Sequence, residues 1–430
     1  MHVAVLGAGI IGVTTAYCLR RRGAEVTVLE RNSGVAQEAS FANGGVVAPG
    51  YTGPWAAPGA PTALLAALFR TDAALRLRLS TDRALWRWLR RFVAESTLDR
   101  YRINRQRMFR LAAYSREQLH SLHARHAIDY EQQPGLLQLF RSDRELARQE
   151  PVRALLKEFG VNARLLTAAE CRALECALNE QTPLAGGLHL PDDETGNCAY
   201  FARRLKEVSE SDGVRYEFGC TVRAIETAGG RATGVLTAQG LRRFDAIVLA
   251  AGADSAALLP AVGVPVPLQP AVGYSATVPI TRHDLAPLMS ILDDRFKVAV
   301  TRMGKRLRIA GLARIGERRT AVGHATARTL LGVARDWYPG AAAYSQAQLW
   351  AGVRPMLPDG PPVLGRTPVG GLFVNLGHGS SGWAMACGSA QVVADVVTGH
   401  APEIDLDGLT VDRFAAHAAV RAQPALNPQS

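Results

Sequence analysis

Apolar residues appear at the start of this chain as short unbroken runs. His2-Val3-Ala4-Val5-Leu6 lacks polar alternation, the pattern of a parallel strand covered on both faces. A helix is predicted next, through about Arg22, and then a second strand over 25–29. Two later runs repeat the opening pattern. Residues 244–253 read as a buried strand ending in small residues, and Leu372-Phe373-Val374-Asn375-Leu376 runs into a glycine-rich turn and a long apolar helix. Elsewhere the pattern changes. Residues 62–130 read as helices with few breakers, and 135–140, 274–280, 297–301 and 306–310 read as strands rich in Val, Ile and aromatics. The Pro/Gly-rich stretch 48–61 leaves the first unit, and the chain after about Arg413 has few structural signals.

The turn after the first run is Gly7-Ala8-Gly9-Ile10-Ile11-Gly12. Gly7 permits a tight turn, Gly9 lets backbone approach a pyrophosphate, and Gly12 lets the helix pack close to the strand. The helix N-terminus then offers free N–H groups to phosphates. Glu30 ends the second strand, where its carboxylate can accept ribose hydroxyls and argues against a 2′-phosphate. Glycines in this spacing alone are weak evidence; between a strand and a helix, with an acid closing the next strand, they predict a dinucleotide site. The late turn Gly377-His378-Gly379-Ser380-Ser381-Gly382-Trp383 favours FAD over NAD, since its N–H groups can polarise the pyrimidine edge of a flavin. The 244–253 strand, with Ala250 and Gly252, resembles the strand that flavoprotein oxidoreductases place under the cofactor. Val222, within 220–225, matches the valine that meets adenine in those proteins. The predicted fold is α/β: a Rossmann-type FAD-binding domain over 1–50, 195–270 and 345–415, and a discontinuous α+β substrate domain over 51–194 and 271–344. Residues 416–430 are a tail. At 430 residues the chain is long enough for both.

Composition narrows the classes further. Hydrophobic content of 48% with 20% charged residues is that of a globular protein, not a disordered one. The six cysteines form no C-x-x-C pair, so neither a zinc site nor a disulfide scaffold is expected. The apolar opening lacks a basic n-region and is broken by glycines, so it is read as folded protein. No apolar run of about 20 residues spans a membrane. Three adjacent acids, Asp192-Asp193-Glu194, have no supporting histidine, and no metal is assigned. The net charge is +11, and residues 83–116 carry ten arginines against Glu95 and Asp99. An anionic membrane or a nucleic acid could exploit that segment; the plainer reading is a solvated helical face. Leu85, Leu89, Phe92 and Val93 repeat there at helical spacing beside Trp86 and Trp88, with Arg83, Arg87, Arg90 and Arg91 interleaved. No RNA-binding module accompanies them, so no nucleic-acid partner is expected.

Several motifs carry a family resemblance: Ser40-Phe41-Ala42-Asn43-Gly44-Gly45, Pro49 through Gly59, Leu190-Pro191-Asp192-Asp193-Glu194-Thr195-Gly196, Gly273-Tyr274-Ser275, Gly352 through Gly360, and Gly377-His378-Gly379. Over essentially its whole length the chain resembles the bacterial FAD-dependent D-amino acid dehydrogenases of small-subunit type, within the D-amino acid oxidase and glycine oxidase superfamily. The resemblance implies non-covalent FAD and oxidative deamination of a D-amino acid to a 2-oxo acid and ammonia by hydride transfer from Cα to flavin N5. It also implies electrons passed to a quinone or dye, and a cytoplasmic enzyme that could sit on the inner face of the inner membrane through 83–116. Further cofactor contacts are expected from Ile10, Ile11, Arg31, Ser40, Asn43, Gly44, Gly45, Arg354, Gly379, Ser381, Gly382 and Trp383. A substrate carboxylate calls for an arginine, with Arg302 and Arg354 as candidates. Tyr51 and Tyr274 are candidates to close the pocket, and His378 to assist deprotonation or touch the flavin. Two departures leave the substrate range open. Val272 stands where a lysine is expected, and Ser380-Ser381 where the glycine oxidase branch carries an arginine. Rivals are a glycine, sarcosine or imino-acid oxidase that makes peroxide, and a flavoprotein acting on nucleic acid.

Overall fold

The computed structural model describes residues 1–67, 73–78, 80–318 and 320–414. The expected opening run becomes the strand His2–Leu6 at the centre of a six-stranded sheet. Glu25–Leu29 and then Arg215–Glu217 lie parallel on one side of it. Ala246–Leu249 and Leu372–Leu376 lie parallel on the other, closed by the antiparallel edge strand Val363–Arg366. Both faces are covered, which is why these strands show no alternation. Val3, Val5, Val26 and Val28 pack under the helices Ile10–Arg21, Cys198–Ser211 and Gly382–Thr398. Ala4, Leu6, Ile247 and Leu249 pack on the other side with Ile225, Val235 and Phe244, contributed in part by an antiparallel meander of Ala224–Ala228, Arg231–Thr237 and Gly240–Arg243.

A ten-stranded, largely antiparallel sheet forms the second unit. Near one edge Gln269–Pro279 pairs with Arg306–Ile315, with the edge strand Gln348–Met356 on one side and Val298–Met303 on the other. The helix His324–Trp337 buries Leu330, Val333, Ala334 and Trp337 against one face. The four strands expected here form as Gln133–Phe140, Gln269–Pro279, Val298–Met303 and Arg306–Ile315. Two elements cross the partition read from the sequence. Gln348–Met356 pairs with Gln269–Pro279 in the large sheet, and Leu98–His126 packs Met108, Leu111 and Ala112 into the core of the first unit. A strand follows the hydrogen-bonding edge offered to it and a helix the apolar face; neither partner is written in its own sequence. The tail beyond Phe414 lies outside the described residues.

The Arg-rich segment divides into Arg83–Glu95 and the start of Leu98–His126. Asp82 caps the shorter helix by accepting from the Ala84 N–H at 2.8 Å. Leu85, Trp88, Leu89 and Phe92 are buried against Ala56, Ala271, Ile315 and Met356. Trp88 stacks on Phe92 and donates to the Met356 carbonyl at 3.2 Å. Trp86 and Val93, by contrast, are 50% and 54% exposed, next to exposed Arg83, Arg87 and Arg90. The apolar stripe of this helix is therefore occupied within the protein. No helix among the described residues is long and apolar enough to cross a membrane.

Candidate active site and cofactor slot

The parallel strands of the small sheet end at one elongated cavity of about 580 Å³. Its floor is backbone. Gly7 has φ +103°, and a Cβ there would lie 2.8 Å from the Ala250 carbonyl oxygen. A Cβ on Gly12 would collide with the Gly7 carbonyl, so the helix sits closer to the turn than any side chain allows. Gly9 lines the cavity, and the Ile10 N–H at the helix start donates to Ser40 Oγ at 3.1 Å. Glu30 is 8% exposed and accepts from the N–H groups of Ala8 and Asn32 at 2.7 and 2.8 Å. Beside it Arg31 pairs with Glu38 and Asp254, both at 2.7 Å. Val222 and Gly252 complete this end.

Arg354 and the 377–383 turn line the opposite part of the wall. The Arg354 guanidinium lies flat against Gly273, where a Cβ would overlap it, and stands 5.9 Å above the Trp55 ring. Trp55 in turn donates to Ser380 Oγ at 3.1 Å. Arg354 donates to the Leu312 carbonyl at 3.3 Å and forms no ion pair among the described residues. Burial pushes its pKa down to about 10, opposed by the nearby Tyr274 and Tyr51 hydroxyls, so it remains a cation at neutral pH. His378 is buried and its Nε2 stands 3.1 Å from Ser389 Oγ, whose proton goes to the Ala386 carbonyl. The imidazole is therefore the donor in that pair, and burial pushes its pKa down to about 3. It is a neutral ring, spent on holding the turn.

Two polar atoms in this wall, Asn375 Oδ1 and Trp383 Nε1, on side chains 1% and 5% exposed, have no hydrogen-bond partner among the described residues. A buried orphan acceptor and donor on residues that line one slot fit a bound polar molecule. The model of the FAD dependent oxidoreductase family matches residues 2–396. The chain belongs to that family. Members similar to it over its whole length include the D-amino acid dehydrogenases of Cereibacter sphaeroides, 44% identical over all of this chain and 99% of the relative, and of Rhizorhabdus wittichii, 44% identical over 96% of this chain and all of the relative. The fold matches glycine oxidase from Geobacillus kaustophilus, with a TM-score of 0.74 at 22% identity over 95% of this chain and 97% of that one. It likewise matches L-proline dehydrogenase from P. horikoshii, with a TM-score of 0.73 at 17% identity over 97% of this chain and 98% of that one. FAD is the cofactor of this family. Here the glycine floor, Glu30 and the two orphaned atoms are the residues that would hold it.

Placement of the remaining candidates follows from strand alternation. Ile11, Asn43, Ala250, Gly379 and Gly382 line the slot; Gly12, Gly44, Gly45 and Ser381 lie just behind it. Gly44 rests on Ala310 and Ala299 of the large sheet, and Thr301 donates to its carbonyl at 3.0 Å. Since Thr301 faces the slot side, Arg302 turns to the other face, 3.0 Å from His283 Nδ1. Tyr274 also turns away, into the core under His324–Trp337 beside Arg76 and Arg314. Tyr51 packs near Lys297 and Asp294, outside the lining, and burial raises its hydroxyl pKa. Trp55, Asn375, Ser380 and Arg318 stand at the site without having been singled out as contacts. Nothing local distinguishes them, because three of them belong to loops and Asn375 sits inside an apolar strand. Asp193, expected only as one of three adjacent loop acids, lies instead in the strand Gly186–Thr195. It is 3% exposed, accepts from the Gly50 N–H at 3.2 Å, and has Arg116 at 3.8 Å. The loop that leads to Trp55 hangs on it. Glu194 beside it binds His120 at 2.8 Å and accepts from the Tyr130 hydroxyl at 2.9 Å, a hydrogen-bonded network that ties this strand to the helix Leu98–His126.

Replacing Glu30 with Ala removes charge-assisted hydrogen bonds worth about 1.5–3 kcal/mol each. Titration of the apoprotein with FAD should show the dissociation constant raised about tenfold to hundredfold; unchanged affinity would exclude Glu30 from the slot.

Asp193 supplies a pH test. Burial pushes its pKa up to about 7 from 3.8, against the Gly50 and Tyr51 N–H groups and Arg116. A raised folded-state pKa means that the neutral acid is favoured by folding. Its contribution is complete below the unfolded value of 3.8 and is lost as pH rises through 7. The melting temperature should therefore fall between about pH 4 and pH 7 and level off above that. Asp193→Asn should flatten that fall, and parallel curves for the two proteins would refute the assignment.

Proposed function

We propose that this chain is a D-amino acid dehydrogenase, oxidising its substrate to an imine that water converts to a 2-oxo acid and ammonia. FAD, when bound, would supply the two-electron acceptor for the hydride leaving Cα. The name shared by relatives 44% identical over the full length supports the substrate class. The observation that carries the reading is Arg354, an ion-pair-free guanidinium in the wall of the slot. Its plane is fixed between Gly273 and Trp55, so a carboxylate would meet two parallel N–H groups at no cost in side-chain ordering. Fixing the carboxylate fixes one of three points on Cα; the hydride and the amine then define a hand. His378 is neutral and engaged with Ser389, so the chain offers no acid there to protonate the amine. The neutral amine can then push hydride out from its own lone pair. We propose a quinone as acceptor, supported by the word dehydrogenase in the relatives' names.

Anaerobic mixing with matched D- and L-amino acids should bleach the flavin absorbance with the D series alone. Arg354→Met should raise KM and lower kcat/KM by about a hundredfold or more, from the loss of charge-assisted bonds. Arg302→Met, on the opposite face of the sheet, should change neither by more than about twofold. Equal rates with both enantiomers, or an unchanged KM in Arg354→Met, would overturn this reading.

We also propose peripheral contact with anionic lipid through the outward face of 83–116, supported by exposed Trp86, Val93, Leu98 and Ile103 among the arginines. The two tryptophans separate packing from contact. Trp88→Ala should cost about 3–5 kcal/mol in unfolding free energy. Trp86→Ala should melt like the parent yet co-sediment less with anionic vesicles at low salt. A parent protein that stays in the supernatant under those conditions refutes the contact.

A further inference from the structure

The charged groups lining the slot are sorted along its length. Its acids among the described residues are Glu30, Glu38 and Asp254, all at the Arg31 end. Each is engaged: Glu38 and Asp254 pair with Arg31, and Glu30 takes the Ala8 and Asn32 N–H groups. The wall built from 353–355 and 375–383 carries no acid. It carries Arg354; Arg318 lines the same cavity, while the other lining cations are Arg31 and, beside Val222, Arg223.

Arg318 reaches the slot by register. Ala271 is bracketed by two partners, Arg354 on one side and Ile315 on the other, so their backbones are two strand spacings apart, about 10 Å. Arg318 lies three residues beyond Ile315, in the loop that leaves the sheet, and is exposed at the cavity rim with Thr320. The preceding residue holds that loop. Glu317 is 6% exposed, pairs with Arg78 at 2.7 Å and has Arg314 at 4.0 Å. Glu317 thus takes up the neighbouring arginines, while the Arg318 guanidinium has no ion-pair partner among the described residues.

We propose that Arg318 is a specificity-determining residue that pairs with a carboxylate on the substrate's side chain, so that acidic D-amino acids are favoured and basic ones rejected. The inference rests on the D-amino acid reading and on Arg354 holding the α-carboxylate. A dicarboxylate would then bridge two arginines that otherwise repel each other across an acid-free wall. An ammonium or guanidinium side chain would enter the same field with no counter-charge, which is discrimination by repulsion as well as by attraction. Arg318 itself takes no part in the bond changes at Cα.

Binding is read first with non-reacting probes: glutarate and propionate titrated into the oxidised holoenzyme and followed by perturbation of the flavin spectrum. Arg318→Gln should weaken glutarate at least about tenfold more than propionate, the loss of one charge-assisted pair, and Arg318→Lys should recover part of the difference. In turnover, kcat/KM for D-glutamate should fall about tenfold more than for D-alanine, while D-lysine should improve. Equal effects on both probes, or no effect on either, overturn the proposal. So does loss of FAD retention in Arg318→Gln with uniform losses for all substrates, which would place the arginine at the cofactor. If no D-amino acid bleaches the flavin while the glutarate preference and its loss in Arg318→Gln both hold, the reaction assignment fails and the anion site stands.

Discussion

Backbone meets backbone at the end of the strand His2–Leu6, and the rest of the molecule is arranged around that contact. The Gly12 Cα rests against the Gly7 carbonyl, and Gly7 itself against Ala250, with no room for a Cβ at either position. This approach aims the start of the helix Ile10–Arg21 into the slot and lets Ser40 reach the Ile10 N–H. It also sets where the next two parallel strands end, and hence where Glu30 and Ala250 stand. A slot floored by backbone presents N–H groups and a helix dipole rather than side chains, which suits a diphosphate better than any set of residues could.

The large sheet supplies what the small sheet lacks. Its slot-facing positions near Gly44 are small, Ala299 and Ala310, so the 40–45 loop can lie between the two units. Its strands also carry two buried cations beside the slot. Arg354 and Arg308 are both buried enough for their pKa to be pushed down to about 10, and neither has an ion-pair partner among the described residues. Arg308 spends itself on the Asn43 carbonyl at 3.1 Å, bracing the loop from behind. An unpaired buried cation costs free energy in the absence of an anion. Under the proposed function, a carboxylate bound at Arg354 would recover that cost.

The helix Arg83–Glu95 shows the limit of pattern reading. Apolar residues at helical spacing with arginines between them describe a helix on a lipid surface as well as one on a protein surface. Of the four residues the pattern marks, Leu85, Leu89 and Phe92 form one buried face while Val93 is 54% exposed, and the pattern cannot name what covers the three. Trp86 and Trp88 are two residues apart and near-equivalent in sequence, yet one stacks on Phe92 beneath Met356 and the other is half exposed.

The sequence by itself determined the parallel core of the first unit and its cofactor, though not the unit's full bounds. Those signals are local: unbroken runs for doubly covered strands, glycines where backbone must approach, an acid at a strand end. Each states a requirement of its own few residues, and the fold meets it where it stands. Non-local placement was left to the tertiary structure. Arg302 and Arg354 are each a strand arginine among 45, and only pairing shows that Thr301 takes the slot side and turns Arg302 away, while Gly273 leaves a flat berth for Arg354. Asp193 became a buried loop anchor because Gly50 came to it from far along the chain. Arg318 came to the slot because Ile315 and Arg354 share Ala271 as a neighbour. A strand carries its own alternation but not its phase relative to a distant site, and that phase decides which side chains can act together.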